Sequence, residues 1–237
     1  MDSEAIRRSI LYEDNHLLVW NKKPSEIIQG DCTGDEPVSG LLKEYIRRRD
    51  SKPGNVFLGV IHRLDRPVSG AVIFAKTSKA LSRMNEMLKR GEIRKIYWAV
   101  VKNRPPDPGG HLVHYLKRVE EKNKSFAYDK EMPGSKKAEL KYTVLQHTDR
   151  YWLLEVELLT GRHHQIRAQL ARIGCPIRGD LKYGYERSNP DGSIHLHARK
   201  LTFRHPVKGI VLEILADPPD ETIWKLFSQL PGQTNRE

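Results

Sequence analysis

The chain has 237 residues, 38% apolar and 30% charged, which is apolar enough for a packed core and too balanced for a disordered chain. Its 41 Lys and Arg against 30 Asp and Glu leave a net charge of +11 and a pI near 9.6, which points to a polyanionic partner, most simply nucleic acid. No apolar run approaches the ~20 residues of a membrane helix, Met1–Glu4 shows no signal-peptide pattern, and Cys32 and Cys175 have no partner motif, so a reducing cytoplasm is the expected compartment.

Two short strands are predicted first, Ser9–Tyr12 and Leu17–Trp20, joined by the polar turn Glu13-Asp14-Asn15-His16. Leu41, Leu42, Tyr45 and Ile46 then recur at helical spacing, and Arg47-Arg48-Arg49 closes that helix. These three cations either complement the helix dipole or contact RNA. Gly70–Ala75 reads as a buried strand, followed by a helix capped by Thr77 or Ser78, with Leu81, Met84 and Leu88 on one face and Gly91 as its stop. Ile93–Val101 is a strand in which Ile96, Trp98 and Val100 point one way and Tyr97, Ala99 and Val101 the other.

Asn103–Gly110 is a Pro- and Gly-rich loop, and the Lys- and Glu-rich stretch 119–137 reads as a mobile hairpin or insertion. Alternating strands follow at Ala138–Thr148 and Trp152–Leu159. His163–Ile173 is a helix with Ile166, Leu170 and Ile173 toward the core and Gly174 as its stop. Strands at Ile194–Phe203 and Lys208–Ala216 precede a final amphipathic helix carrying Ile223, Trp224, Phe227 and Leu230. Strands outnumber helices and come in consecutive pairs. The expected fold is α+β, a mixed and largely antiparallel sheet flanked by helices, in one domain over residues 1–237.

Four segments could carry chemistry. His62-Arg63-Leu64-Asp65-Arg66 places one carboxylate between two guanidinium groups just before a buried strand. Neighbouring cations favour the ionised form, which is a nucleophile or a base, while Arg63 and Arg66 can engage RNA. The bland alternative is a structural ion pair. Gly161-Arg162-His163-His164-Gln165-Ile166-Arg167 puts Arg162 and Arg167 at the start of a helix, where an anion is favoured. Arg167 falls at the edge of the apolar stripe, where it could be half buried and reach Asp65. His195-x-His197 could ligate zinc, but no third ligand is evident, so no metal is expected. Tyr97 could stack on an extruded base or simply fill the core. Gly-rich dinucleotide turns, P-loop lysines, Gly-x-Ser-x-Gly elbows and CxxC pairs do not occur in the sequence.

In combination these segments resemble the RluA family of RNA pseudouridine synthases, in the family's order from about Ile10 to Pro218. Ile10–Asp14 through Asn21-Lys22 is similar to the opening hairpin, HRLDR with Ser69-Gly70 to the nucleophile motif, and Lys95-x-Tyr97-x-Ala99-x-Val101 to the aromatic motif. Gly161–Gly184 resembles the arginine motif, and Leu196-His197-Ala198 with Leu201-x-Phe203-x-His205-Pro206 the closing strand. The chain departs from the pattern at Pro67-Val68, His163, Gln169 and an extra lysine in Lys22-Lys23-Pro24, all beside the candidate residues rather than at them. Since the hairpin begins by Ser9, no separate S4-type domain is expected.

The resemblance implies isomerisation of uridine to pseudouridine in ribosomal or transfer RNA, with no cofactor. It implies Asp65 as nucleophile, Tyr97 as stacking ring and C5 base, and Arg167 as the partner that holds Asp65 ionised. Arg63, Arg66, Arg162 and His62 are the expected RNA contacts, with Arg63 entering the gap left by a flipped nucleotide. RNA is the expected partner, with no membrane, no obligate protein partner and a monomeric enzyme. A non-catalytic RNA-binding relative and a metal-dependent hydrolase using His195 and His197 are the alternatives, separated by turnover and by its response to EDTA.

Overall fold

The computed structural model describes residues 3–30 and 34–228; Cys32 and Leu230, named above, lie outside the described residues. The first half contains α1 (Ser3–Ser9), β1 (Ile10–Glu13), β2 (Leu17–Lys22), α2 (Val38–Arg49), β3 (Gly59–Val60), β4 (Ser69–Ala75), α3 (Ser78–Lys89) and β5 (Arg94–Val101). Then come β6 (Gly109–Val119), β7 (Lys124–Tyr128), β8 (Lys136–His147), β9 (Trp152–Leu158), α4 (Gln165–Arg172), a 3-10 turn at Leu181–Tyr183, β10 (Leu196–Arg204), β11 (Val211–Leu215) and α5 (Thr222–Ser228). The chain forms two compact units, Met1–Lys95 with Ala198–Asp217 and Ile96–His197 with Pro218–Glu237.

In the first unit the strand order is β1-β2-β4-β10, with β3 on β4 and β11 on β10. The β1–β2, β2–β4, β3–β4 and β10–β11 ladders are antiparallel. β4 is buried along its whole length because it is covered on both faces. Ala71, Ile73 and Ala75 pack with Leu17 and Val19 against Ala80, Met84 and Met87 of α3. Val72 and Phe74 pack with Leu18 and Trp20 against Leu42, Tyr45 and Ile46 of α2. Each fully buried Leu, Ile or Met contributes roughly 1.5–3 kcal/mol. Thr77 is the α3 cap, accepting from Ala80 N at 3.1 Å, and Gly91 ends the helix at φ +72°.

The Arg47–Arg49 triplet is used inside the unit. Arg47 and Arg48 bond Glu44, and Arg49 reaches Glu13 at 2.7 and 2.8 Å. The helix-end reading therefore fits this triplet better than an RNA contact.

In the second unit the order is β5-β9-β8-β6-β7, with antiparallel ladders throughout. α5 sets Ile223, Trp224 and Phe227 on Val100 and Leu153. α4 brings Ala168 into a cluster with Leu116 of β6 and Ala138 of β8. The Asn103–Gly110 loop ends earlier than expected, since Gly109 and Gly110 already pair with Thr143 and Tyr142. A Cβ on Gly110 would lie 2.9 Å from the Tyr142 ring, so glycine lets that ring cover the strand. Within 119–137, Lys124–Tyr128 is β7, hairpinned onto β6. The largely antiparallel α+β architecture is as the pattern implied.

Gly70 opens β4 at φ +115°, and a Cβ there would lie 2.4 Å from the Ala198 carbonyl oxygen of β10. Backbone meets backbone at this point, so no flexible side chain can give way. Gly70→Ala is expected to cost at least ~3 kcal/mol. A urea-unfolding midpoint equal to that of the parent protein would show the close approach to be dispensable.

Candidate active site

The turn that carries Asp65 lies between β3 and β4. Val68 N donates to the Asp65 carbonyl at 3.0 Å, which closes a reverse turn around Arg66 and Pro67. A buried cation holds this turn from within. Lys22, 1% exposed at the end of β2, donates from Nζ to the carbonyls of Val68 at 2.6 Å and of Arg66 and Lys23 at 3.0 Å. Ser25 N adds a 2.9 Å bond to the Arg66 carbonyl. Burial pushes the Lys22 ammonium down to a pKa of about 8, against the pull of the Glu26 and Asp65 carboxylates. Asp65 is itself half-buried, so its charge and that of Lys22 act on each other.

The other residues of the motif divide their work. The Nε2 of His62 accepts from Ile73 N at 3.2 Å, and burial, aided by the Lys95 charge, pushes its pKa to about 3. It is a neutral acceptor that braces β4. Arg63 is exposed, and Arg66, also exposed, pairs with Asp35.

Lys22→Met keeps most of the bulk but removes the donor to the carbonyls of Val68, Arg66 and Lys23, of which Arg66 keeps its bond from Ser25 N. Removal of a desolvated charge offsets part of that loss. A net destabilisation of about 1–3 kcal/mol is expected, with turnover falling further because the Asp65 turn loosens. Equal melting curves together with unchanged turnover would refute this role. The folded protein gives up this proton near pH 8 and the unfolded chain near 10.5, so the Lys22 contribution to stability rises with pH across that window.

In the second unit, α4 begins at Gln165 and not at His163, because His164 adopts a left-handed conformation at φ 53°. That bend stacks the His164 ring on His163 at 3.8 Å and aims Nδ1 at the Tyr183 hydroxyl at 3.0 Å. Burial, with the Arg167 charge nearby, pushes the His164 pKa to about 2, so this imidazole is neutral. Tyr183 is held further by Ser125, whose N–H donates to the hydroxyl at 2.9 Å and whose carbonyl accepts from it at 3.1 Å. Gln165 accepts from Arg162 N and the Thr160 hydroxyl and donates to the Glu139 carbonyl, which fastens the entry loop.

Arg167 is 5% exposed, more buried than the edge of an apolar stripe suggested. Its Nε and one terminal nitrogen bind the Asp180 carboxylate at 2.7 and 2.9 Å, and its guanidinium lies 5.0 Å above the Tyr183 ring. The sequence reading named Asp65 as its partner. Asp180, at the mouth of the 3-10 turn, is a partner that reading missed, although Gly179-Asp180-x-x-Tyr183-Gly184 stood inside the recognised motif. The planar fork suits this additional pairing: two parallel N–H donors match one buried carboxylate. Arg162 differs in kind, being exposed and donating from Nε to the Lys137 carbonyl at 3.0 Å.

Tyr97, on β5 opposite Val156, is 6% exposed. Asp65, His62, Arg63 and Arg66 thus share one loop of the first unit, whereas Tyr97, Arg162 and Arg167 belong to the second. His195 and His197 do lie together, both against Trp224 at 5.5 and 6.0 Å. His195 is engaged by Glu221 at 3.0 Å and by Asn189 at 3.1 Å. No group of three or more His, Cys, Asp or Glu suited to holding a metal occurs among the described residues, and none of the helices described is long and apolar enough to cross a membrane.

A family model described as RNA pseudouridylate synthase matches residues 16–172. The ribosomal large subunit pseudouridine synthase D of Yersinia pestis is 31% identical over 98% of this chain and 73% of that protein. The ribosomal large subunit pseudouridine synthase C of Buchnera aphidicola is 33% identical over 90% and 68%. The solved structure of human RNA pseudouridylate synthase domain containing 4 superposes with a TM-score of 0.78, at 23% identity, over 95% of this chain and 94% of that one, and so shares the fold. The chain therefore belongs to the RNA pseudouridylate synthase family, as its RluA-like motifs implied, and is an enzyme that isomerises uridine to pseudouridine in RNA.

Proposed function

We propose that the enzyme acts on uridines of ribosomal RNA, with Asp65 as the nucleophile on a flipped-out base and both units serving as one catalytic domain. The observation that carries this reading is the Asp65 turn. Its backbone is locked by Lys22 and Ser25 and Asp65 is half-buried, which pre-organises one carboxylate on a rigid support. Ribosomal RNA is favoured over transfer RNA because the two relatives named above are large-subunit ribosomal enzymes.

The reaction is an isomerisation. Asp65 attacks the ribose C1′ or the pyrimidine C6, the N1–C1′ bond breaks, and the base turns and rejoins through C5. C5 loses a proton and N1 carries one in the product, so neither cofactor nor energy source enters the balance. Tyr97 stacks on the uracil and takes the C5 proton. Arg167, anchored through Asp180, is the cation this reading assigns to the Asp65 nucleophile. Arg63, exposed on the same loop, replaces the flipped nucleotide in the stack. Arg66, Arg162 and His62 belong to the RNA-facing surroundings, His62 by bracing the strand behind the loop. The enzyme works as a monomer in the cytoplasm.

Deleting the gene and mapping pseudouridine across total RNA tests the target. Loss of a site in large-subunit ribosomal RNA supports the proposal, and loss only in transfer RNA overturns that part of it. Tyr97 is tested separately by single-turnover assays that read C5-tritium release beside product. Tyr97→Phe should bind and react but stall before tritium release, whereas Tyr97→Leu should also lose ~1–3 kcal/mol of stacking. Near-normal turnover by Tyr97→Leu would return this ring to the core.

A further inference from the structure

A cleft of about 690 Å³ opens in the second unit on the surface formed by the ends of β5 and β9 and the segment 185–190. That volume suits a ligand of nucleotide size. The cleft is distinct from the surroundings of Tyr97. Trp152, which lines it, pairs with Val101, four residues further along β5 and so about 13 Å away at ~3.3 Å per residue.

Its lining combines cations and aromatic rings, with the carboxylates of Asp149 and Glu186 among them and the cations in the majority. Arg150, Arg187 and Lys102 are exposed at the rim, and Lys102 is paired with Glu186 at 2.6 Å. Tyr151, Trp152 and Tyr185 are half-exposed rings between these cations. Arg178 forms the floor and is rigidly held. Its backbone N–H donates to the Val100 carbonyl at 2.8 Å, and Nη1 donates to Asn189 Oδ1 at 2.9 Å. Its guanidinium lies 5.6 Å from the Tyr151 ring centroid. The Nε of Arg178 is buried and has no hydrogen-bond partner, a donor that a protein rarely leaves unmet. The Tyr151 hydroxyl is pushed down in pKa by the Arg178 guanidinium, and burial pushes Tyr185 up to about 12, so Tyr185 stays a neutral donor.

We infer that the cleft lined by Arg150, Tyr151, Trp152, Arg178, Tyr185 and Arg187 is a second RNA subsite that grips one unpaired nucleotide of the substrate away from the reacting uridine. Guanidinium groups take the phosphate and a tyrosine or tryptophan face takes the base. An acidic protein segment would use the cations but not the half-exposed rings. The chain is already an RNA-modifying enzyme with a +11 charge, so the polyanion at hand is its own substrate. This inference rests on RNA as substrate and not on the role of Asp65.

The test uses the full chain and a fluorescein-labelled, unstructured U12 oligonucleotide, read by anisotropy over a salt series. Arg150→Gln/Arg187→Gln changes only exposed side chains, so a parental melting temperature is expected. Affinity should fall about tenfold or more. The salt slope should flatten by about 1.4, at ~0.7 per phosphate contact on a single strand. U12 carrying 5-iodouridine should photocrosslink to Tyr151, Trp152 or Tyr185, as mapped by mass spectrometry. Asp65→Asn should leave affinity, slope and crosslink unchanged, which separates failure of this site from failure of the nucleophile. Parental affinity and slope in the double variant, or crosslinks confined to other residues, would overturn the subsite. So would a dependence on these arginines for UMP binding alone.

Discussion

Asp65→Asn should abolish pseudouridine formation while RNA affinity stays within about twofold of the parent. Asparagine keeps the size and removes the charge. The turn is held by backbone groups, Val68 N on the Asp65 carbonyl and Lys22 on the carbonyls of Arg66 and Val68, so its shape should survive. Binding should survive because phosphate contacts supply most of the affinity. Loss of a covalent nucleophile lowers turnover by on the order of 10⁴-fold or more. A second readout tests the electrostatics independently of turnover. The Asp65 charge raises the Lys22 pKa, so in Asp65→Asn the Lys22 ammonium should titrate below its value of about 8, as followed by Nζ NMR. Measurable turnover in the purified variant would remove Asp65 from the nucleophile role, and an unmoved Lys22 titration would mean that the two charges do not act on each other.

Arg167→Lys should cost both activity and stability. From sequence alone, a residue at the edge of an apolar stripe would lose turnover with little change in stability. The structure changes that expectation, because Arg167 is buried and bidentate to Asp180. Lysine keeps the charge but presents a single ammonium where the site requires a planar fork. Turnover should fall by about a hundredfold or more, as expected when a positioned group shifts by about 1 Å, with about 2–4 kcal/mol of stability lost. Asp180→Asn should be the more destabilising change, about 3–5 kcal/mol, because it removes the charge of the carboxylate that binds two nitrogens of this buried guanidinium. Arg162→Lys is the internal control: its side chain is exposed and bonds one carbonyl, so its effect should be small. A larger loss of turnover from Arg162→Lys than from Arg167→Lys would mean that the two arginines have been assigned the wrong way round.

Much of this protein is determined locally and can be read from the chain itself. The apolar run of β4, the Thr77 cap and Gly91 stop of α3, and the alternation of β9 follow from short-range rules, and the structure places these elements within a residue or two of expectation. Helix α1 and strand β6 escaped notice because neither carries a clean period; β6 opens on two glycines that read as loop until the Tyr142 ring is seen above them. The family motifs likewise named Asp65, Tyr97 and Arg167 in chain order. What each of these side chains touches depends on residues distant in sequence, and only the tertiary structure decided it. Lys22 sits 43 positions before Asp65 and looks like one more basic residue in a basic chain, yet desolvation and three carbonyls make it the support of the Asp65 turn. Asp180 lies 13 positions after Arg167 and binds two of its nitrogens, because a buried fork and a buried carboxylate match in charge and geometry. Periodicity reports which face a residue occupies, whereas the pairing of buried charges is set by desolvation, which exists only once the chain has folded.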